Sequence, residues 1–542
     1  MVPTSRLSRN GALALLAARS HTASTRCSIR TLTHTLVSDN RGRSYNVSQG
    51  SSYKCPNNKL TRLSQDAIET LNSLQSSNAV VEARKKAGIK PNQASIKDMH
   101  AYLARLGHSL ADLDRLNIVH VAGTKGKGST CAYVNSILAS WQRVHGTPRR
   151  TGLLISPHLI SVRERIQLNS QPISETLFTH YFFDVWEKLR QAETETIQMG
   201  SSATTERPSY ARYLTLMAYH IFLEEGVDVA VIETGIGGEF DSTNLASKPA
   251  ATGISMLGID HVFVLGDTVE KIAWHKAGIM KTGTPAFSVP QVPAAEKVLQ
   301  DRAREKTVGL QFVDLDSRLE GIKIKPDADF QKSNASLAIR LAETALQKLD
   351  PEFAVKTAST TALPSEFIDG LQSMVWKGRC QIKTEGKVTW HLDGAHTIDS
   401  IKVCSHWFAQ ECRKNTKVLI FNQQDRKEAV DFLDTMYKII RDNKVHFSHV
   451  VFCTNVTKNP KTKDLVNHQA DTENIQALTV QNNLASKWRQ IDPTVSISVA
   501  PTVNDALDIA RELASGLRDV KGVEVLVTGS LHLVGAVLST ME

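Results

Sequence analysis

The sequence predicts an α/β protein of two domains, each built on a parallel sheet covered by helices. Three observations carry that prediction. Short apolar runs alternate with helical patterns along most of the chain, a glycine-rich turn joins the first run to a helix, and a polar Thr/Ser-rich stretch bracketed by Pro351 and Pro364 divides the alternation into two series. At 542 residues the chain also exceeds what one compact core ordinarily holds.

Residues 1–38 carry Arg6, Arg9, Arg19, Arg26 and Arg30 and no Asp or Glu, which predicts a mitochondrial presequence. A short secretory signal around Gly11–Ala18 and a disordered tail are the competing readings. Residues 39–60, rich in Ser, Asn and Gly, predict a linker. The first domain, 61–350, holds strand candidates Ile118–Val121, Gly152–Ile155, Val227–Ile232, Thr252–Met256 and Pro285–Val289. After a hinge at 351–364, the second domain, 365–542, holds Val388–Leu392, Val418–Phe421, His449–Cys453, Val495–Val499 and Glu524–Thr528, with helices such as Asn504–Ser515 between them. These runs are nearly continuous in apolar residues, as strands buried on both faces by crossover helices require. The smaller second domain is expected to be Rossmann-like.

The formal net charge is +9, and the five presequence arginines account for more than half of it. The remaining mild excess suits a polyanionic small substrate, and without a basic-aromatic module it makes no case for nucleic acid. No stretch approaches the roughly 20 apolar residues that span a bilayer, so no integral membrane segment is expected. Seven cysteines without a C-x-x-C pair predict free thiols in a reducing compartment and argue against a thiolate metal site.

The most specific local signal is Ala122-Gly-Thr-Lys-Gly-Lys-Gly-Ser-Thr130 between a strand and a helix. Gly123, Gly126 and Gly128 let backbone N–H groups face phosphate oxygens, Lys127 supplies a cation, and Ser129 offers a hydroxyl to Mg²⁺ at a helix N-terminus. Strict P-loop spacing would place the first glycine at 121, where Val stands, so the loop is a variant. A Gly/Lys-rich surface turn is the bland alternative, and the flanking strand and helix disfavour it. Val229–Glu233 is an apolar run ending in a carboxylate, which would either hold Mg²⁺ opposite that loop or cap the next helix. Asp260-His261 follows another strand candidate and offers an imidazole that, taken alone, is as readily structural.

Taken in order, Gly123–Thr130, Thr151–Leu159, Val162–Ile166, Glu233–Asn244, Leu257–His261, Lys276–Ile279 and Leu392–His396 resemble the folylpolyglutamate synthases, a family of Mur-ligase-like ATP-dependent amide ligases. Leu71–Gln75, Phe421-Asn422 and Val527–Gly535 resemble the eukaryotic form, and the likeness runs from about Ala67 to the end. The resemblance implies that Gly126, Lys127, Gly128 and Ser129 hold the ATP phosphates and that Ser156, Glu233 and His261 surround Mg²⁺, with a monovalent cation as a further expectation. It implies that Arg379 and Asp393 contact the nucleotide from the second domain, Asn334 lies near the adenine and His396 near the phosphates. It sets Lys276 at a lysine carbamylated in bacterial relatives, with His275 standing where an acidic neighbour is common there. Lys127, His261, Lys276 and His396 form the implied catalytic group, and Ser156–Leu159 with Val162–Ile166 form the implied folate loop.

The implied reaction adds L-glutamate to tetrahydrofolate or its polyglutamates through an acyl phosphate, in a monomer located in mitochondria, with a cytosolic pool as a further expectation. With no Met between residues 2 and 98, and Met99 lying beyond Leu71–Gln75, an internal start does not supply that second pool. Dihydrofolate synthase, a Mur-type cell-wall ligase and a non-catalytic nucleotide-binding regulator are the alternatives. Leu71–Gln75 and the long second domain weigh against the first, and the folate loop against the second. The presence of Lys127, Glu233, His261, Arg379 and Asp393 weighs against the third.

Overall fold

The computed structural model describes residues 36–38, 44–46, 57–198, 207–326, 328–357, 362–413, 415–424, 429–458, 464, 475–516 and 522–541. Most of the expected presequence, residues 1–35, lies outside the described residues. Leu36–Ser38 (β1) and Ser44–Asn46 (β2) pair as a short antiparallel ladder, in a unit separate from Asn57–Glu542. The expected linker therefore contains β2, and a helix already begins at Asn57.

The larger unit is organised by two sheets. The first comprises Val119–Ala122 (β3), Thr151–Leu154 (β4), Ile166–Leu168 (β5), Gln171–Pro172 (β6), Val229–Glu233 (β7), Ala251–Ile254 (β8), Ala286–Ser288 (β9) and Leu310–Phe312 (β10). Their order is β10-β9-β8-β3-β7-β4-β5-β6. β7 shows why a run of Val, Ala and Ile forms a central strand. Val229 and Val231 pack into the core under the Lys127–His145, Asp329–Leu349 and Ser365–Ser373 helices, whereas Ala230 and Ile232 pack under the Glu175–Gln198 and Tyr210–Glu224 helices. Both faces are dry, so alternation of polarity is absent.

The second sheet comprises Gln381–Glu385 (β11), Val388–Leu392 (β12), Thr416–Phe421 (β13), His449–Cys453 (β14), Ser496–Ala500 (β15) and Val523–Thr528 (β16), ordered β11-β12-β16-β13-β14-β15. β16 lies between β12 and β13 and is buried along its whole length.

Two features depart from the sequence reading. The sheets are mixed, because β5 pairs antiparallel with both β4 and the edge strand β6, and β11 is an antiparallel edge strand. Asn169 and Ser170, both at positive φ (48° and 63°), close the two-residue turn between β5 and β6, the turn that matches strand twist. The described residues of the expected hinge, 351–357 and 362–364, also belong to the first lobe. Phe353, Leu363, Phe367 and Leu371 share a core with Tyr133 and Trp141. Pro364 caps the Ser365–Ser373 helix, and the chain crosses to the second sheet over residues 374–380. The prolines thus mark a helix start rather than the edge of the lobe. The five described cysteines, Cys131, Cys380, Cys404, Cys412 and Cys453, are free thiols.

Candidate active site

Four adjacent strands of the first sheet, β8, β3, β7 and β4, end at one rim, where open α/β sheets place their ligands. β3 runs into the glycine loop, β7 ends in Glu233, β4 leads to Ser156, and β8 leads to His261. The second lobe faces this rim with Arg379 and with Asp393, which follows β12. Together they enclose a cavity of about 2150 Å³.

Each bend of the glycine loop has a local cause. Gly126 sits at φ 85° as the N-cap of the Lys127–His145 helix, and a Cβ there would collide with Asn334 Oδ1. Having no side chain, Gly126 leaves the first-turn N–H groups uncapped, the condition for receiving an anion at a helix start. A Cβ on Gly128 would lie 3.1 Å from Trp376 and 3.6 Å from either Glu233 carboxylate oxygen, so the loop, the β7 carboxylate and the crossing segment converge. The N–H groups of Thr124 and Lys125 both donate to the Met256 carbonyl, at 2.9 and 3.0 Å, which fixes the outer limb of the loop to the chain after β8.

Charge in the cavity is held at a cost. Burial pushes the Glu233 carboxyl above its ordinary range, opposed by the Lys127 cation and by the Ser156 N–H, which donates to Oε2 at 2.9 Å. Asp393 is likewise pushed up by burial, with the Arg379 guanidinium opposing; its Oδ2 accepts from the Cys380 N–H at 2.8 Å. Lys276 is buried and donates to the Gly123 carbonyl at 2.7 Å, and desolvation together with Lys127 lowers its pKa to about 7. His396 is oriented by a 2.9 Å contact between Nδ1 and the Gly394 carbonyl. His261 is exposed, in the left-handed region at φ 49°.

All thirteen residues singled out in the sequence line this one cavity: Gly123, Gly126, Lys127, Gly128, Ser129, Ser156, Glu233, His261, Lys276, Asn334, Arg379, Asp393 and His396. A donor set of carboxylate, hydroxyls and imidazole suits Mg²⁺, and the desolvated Glu233 carboxylate beside the loop is the observation that such a cation would offset.

Several participants are absent from the sequence reading. Trp376 covers the loop. Lys125 reaches across to the Thr397 hydroxyl at 2.8 Å, where Thr397 caps the Ile398–Glu411 helix of the second lobe. Within the expected folate loop, the Glu164 carboxylate accepts from the N–H groups of Leu159, Ile160 and Ser161 at 2.8, 3.1 and 2.9 Å. The Asp464 carboxylate accepts from Val162 N–H at 2.7 Å, and its carbonyl meets His158 Nε2 at 3.1 Å. Glu164 lies inside the quoted motif Val162–Ile166 and is recoverable from its spacing to Ser161, whereas nothing around Asp464 announces it.

Two α/β lobes closing on a glycine loop and a buried carboxylate place the molecule in the Mur-ligase-like class of enzymes. A family model described as dihydrofolate synthetase, C-terminal domain, matches residues 378–540. A folylpolyglutamate synthase of Neurospora crassa is 56% identical over 492 residues, which cover 89% of this chain and 92% of that protein. A folylpolyglutamate synthase of Saccharomyces cerevisiae is 41% identical over 495 residues, 90% of this chain and 89% of the relative. Among solved structures, the Mycobacterium tuberculosis folylpolyglutamate synthase complexed with ADP shares the fold, with a TM-score of 0.67 at 22% identity over 89% of this chain and 98% of that one. The chain belongs to the folylpolyglutamate synthase family of ligases.

Proposed function

We propose that this chain uses ATP to join L-glutamate to the glutamyl carboxylate of tetrahydrofolate and of its polyglutamates. The observation that carries the reading is the shared cavity, in which the glycine loop and Glu233 of one lobe face Arg379 and Asp393 of the other.

A carboxylate is a poor electrophile, so amide formation in water needs prior activation. The folate carboxylate attacks the γ-phosphorus of ATP in line, the bond to the bridging oxygen breaks, and ADP leaves an acyl phosphate behind. Lys127 and the uncapped N–H groups of its helix neutralise charge on the transferring oxygens. Arg379 approaches from the second lobe, Asn334 and Asp393 position the nucleotide, and His396 sits toward the phosphates. Mg²⁺ would be held by Glu233, Ser129, Ser156 and His261, and would supply further charge neutralisation at the phosphates. Lys276 braces the loop through the Gly123 carbonyl. The α-amine of glutamate then attacks the acyl carbon, loses a proton and expels phosphate, with no covalent enzyme nucleophile. Closure of two lobes keeps water from the acyl phosphate.

The test is mass spectrometry of products from purified protein supplied with tetrahydrofolate, glutamate and MgATP. A ladder of glutamate additions is expected. The name of the family model over 378–540 favours a second reading, dihydrofolate synthase, and a parallel reaction with dihydropteroate decides between them. Activity on dihydropteroate alone would overturn the proposal. The acid-free residues 1–38 support a mitochondrial address, tested by the import of a reporter fused to them. A monomer is the accompanying proposal, tested by mass in solution.

A further inference from the structure

Away from the cavity, the turn after the Gln93–Arg105 helix sets His108 against the C-terminal half of the Tyr210–Glu224 helix. His108 Nε2 lies 2.6 Å from His220 Nδ1 and 4.0 Å from Glu224 Oε1, and the three donor atoms all fall within 4.8 Å of one another. His220 and Glu224 are one helical turn apart, so their side chains leave the same face. The other nitrogen of the buried His220, Nε2, meets the Asp184 carboxylate at 2.7 Å, and Lys188 holds that carboxylate at 2.9 Å. A carboxylate accepting from one ring N–H fixes the tautomer and leaves the second nitrogen as a bare lone pair, the arrangement that supports metal-bound imidazoles.

We propose that His108, His220 and Glu224 form a binding site for a divalent transition cation of the Zn²⁺ type, with Asp184 as the outer carboxylate that orients His220. Two imidazoles against a single carboxylate suit such an ion, whereas Mg²⁺ and Ca²⁺ favour sets dominated by oxygen. Bond lengths of about 2.0–2.1 Å in a tetrahedral site set donor atoms about 3.3 Å apart. The observed 2.6 and 4.0 Å separations bracket that value, and the exposed Glu224 carboxylate has room to adjust. With 48% of its side chain exposed, Glu224 leaves an entry path and room for water as a fourth ligand. A bound ion would tie the turn at His108 to the helix whose first residue, Tyr210, lies under the Arg165 guanidinium. The competing arrangement is a hydrogen bond from His108 to His220 with no ion.

Chelator-treated full-length protein, held in excess MgATP, is titrated with Zn²⁺ and separately with Co²⁺. One equivalent of Zn²⁺, a metal-dependent rise in Tm and the visible absorption bands of tetrahedral Co²⁺ are expected. Glu224→Gln combined with His108→Asn should lose that equivalent and the bands while keeping ADP release. Glu224→Gln alone, at an exposed position, guards against a folding defect and should weaken Zn²⁺ binding. Asp184→Asn should weaken it about 10–100-fold. Unchanged stoichiometry in the double variant, or a wild type without tetrahedral Co²⁺ bands, would overturn the site in favour of the hydrogen-bonded pair.

Discussion

Burial works against the ionised form of Glu233. Its raised folded-state pKa means that stability falls as pH climbs from the ordinary carboxylate range through that raised value, because the unfolded chain ionises more readily. Glu233→Gln should therefore hold or raise Tm near neutral pH while ADP release drops by about 10²–10³-fold. Paired thermal melts and turnover assays check this, and a large fall in Tm would mean that the carboxylate stabilises the fold. Lys127→Ala should abolish ADP formation with an unchanged melt; normal turnover in that variant would remove the glycine loop from the chemistry. Lys276 has its pKa depressed to about 7, so the folded chain sheds its proton before the unfolded one does. Stability conferred through this group rises as pH increases from about 7 towards the ordinary lysine range. The difference in unfolding free energy between wild type and Lys276→Met should grow with pH across that window, and a flat difference would place the lysine in a wetter site.

At the scale of elements, the Ser365–Ser373 helix depends on close approach. A Cβ on Gly370 would lie 2.7 Å from Ile137 Cα and 2.9 Å from the Ser136 carbonyl oxygen, backbone atoms of the helix that begins at the glycine loop. The Gly370 carbonyl also accepts from the Ser136 hydroxyl at 2.7 Å. Gly370→Ala should cost about 1–3 kcal/mol by overpacking, read by urea denaturation, and an unaltered midpoint would mean that the helix slides freely. The same helix shows what the sequence conceals. The central strands were legible because burial on both faces demands β-branched runs such as Val229–Ile232; the glycine loop and Glu233 stood out as a strand–turn–helix and a strand-end carboxylate, whereas Arg379 and Asp393 were placed beside them only through the family resemblance. The lobe boundary was not legible, since Pro364 signals a helix start whichever core the helix joins. The antiparallel pair β5–β6 was hidden too, its strands being three and two residues long and joined by Asn169 and Ser170 in a turn. Asp464 depends wholly on tertiary contact.

Across the whole molecule, the segment Ser156–Ile166 is shared between the lobes. Its base, Ser156, bonds to Glu233 of the first lobe, whereas Leu159 packs in the core of the second with Val534 and Leu533. Gly535, on the Leu531–Met541 helix, makes room for the Leu159 carbonyl, with which a Cβ would collide. Asp464 is 4% exposed and takes the Val162 N–H. Lys125 to Thr397 is the matching bridge from the glycine loop. Relative movement of the lobes would disturb both this segment and the glycine loop, which, on the proposed function, couples the fit of one substrate to closure on the other. Asp464→Ala removes a buried charged acceptor and leaves the Val162 N–H unpaired, a loss of about 1.5–3 kcal/mol. Since the nucleotide side keeps Lys125–Thr397, the loss should fall on the folate side, raising its KM by about 10-fold or more while the KM for ATP stays within about twofold. Steady-state kinetics with each substrate varied in turn provides the measurement. Equal changes in both KM values would mean that Asp464 supports the lobe interface as a whole rather than the segment Ser156–Ile166.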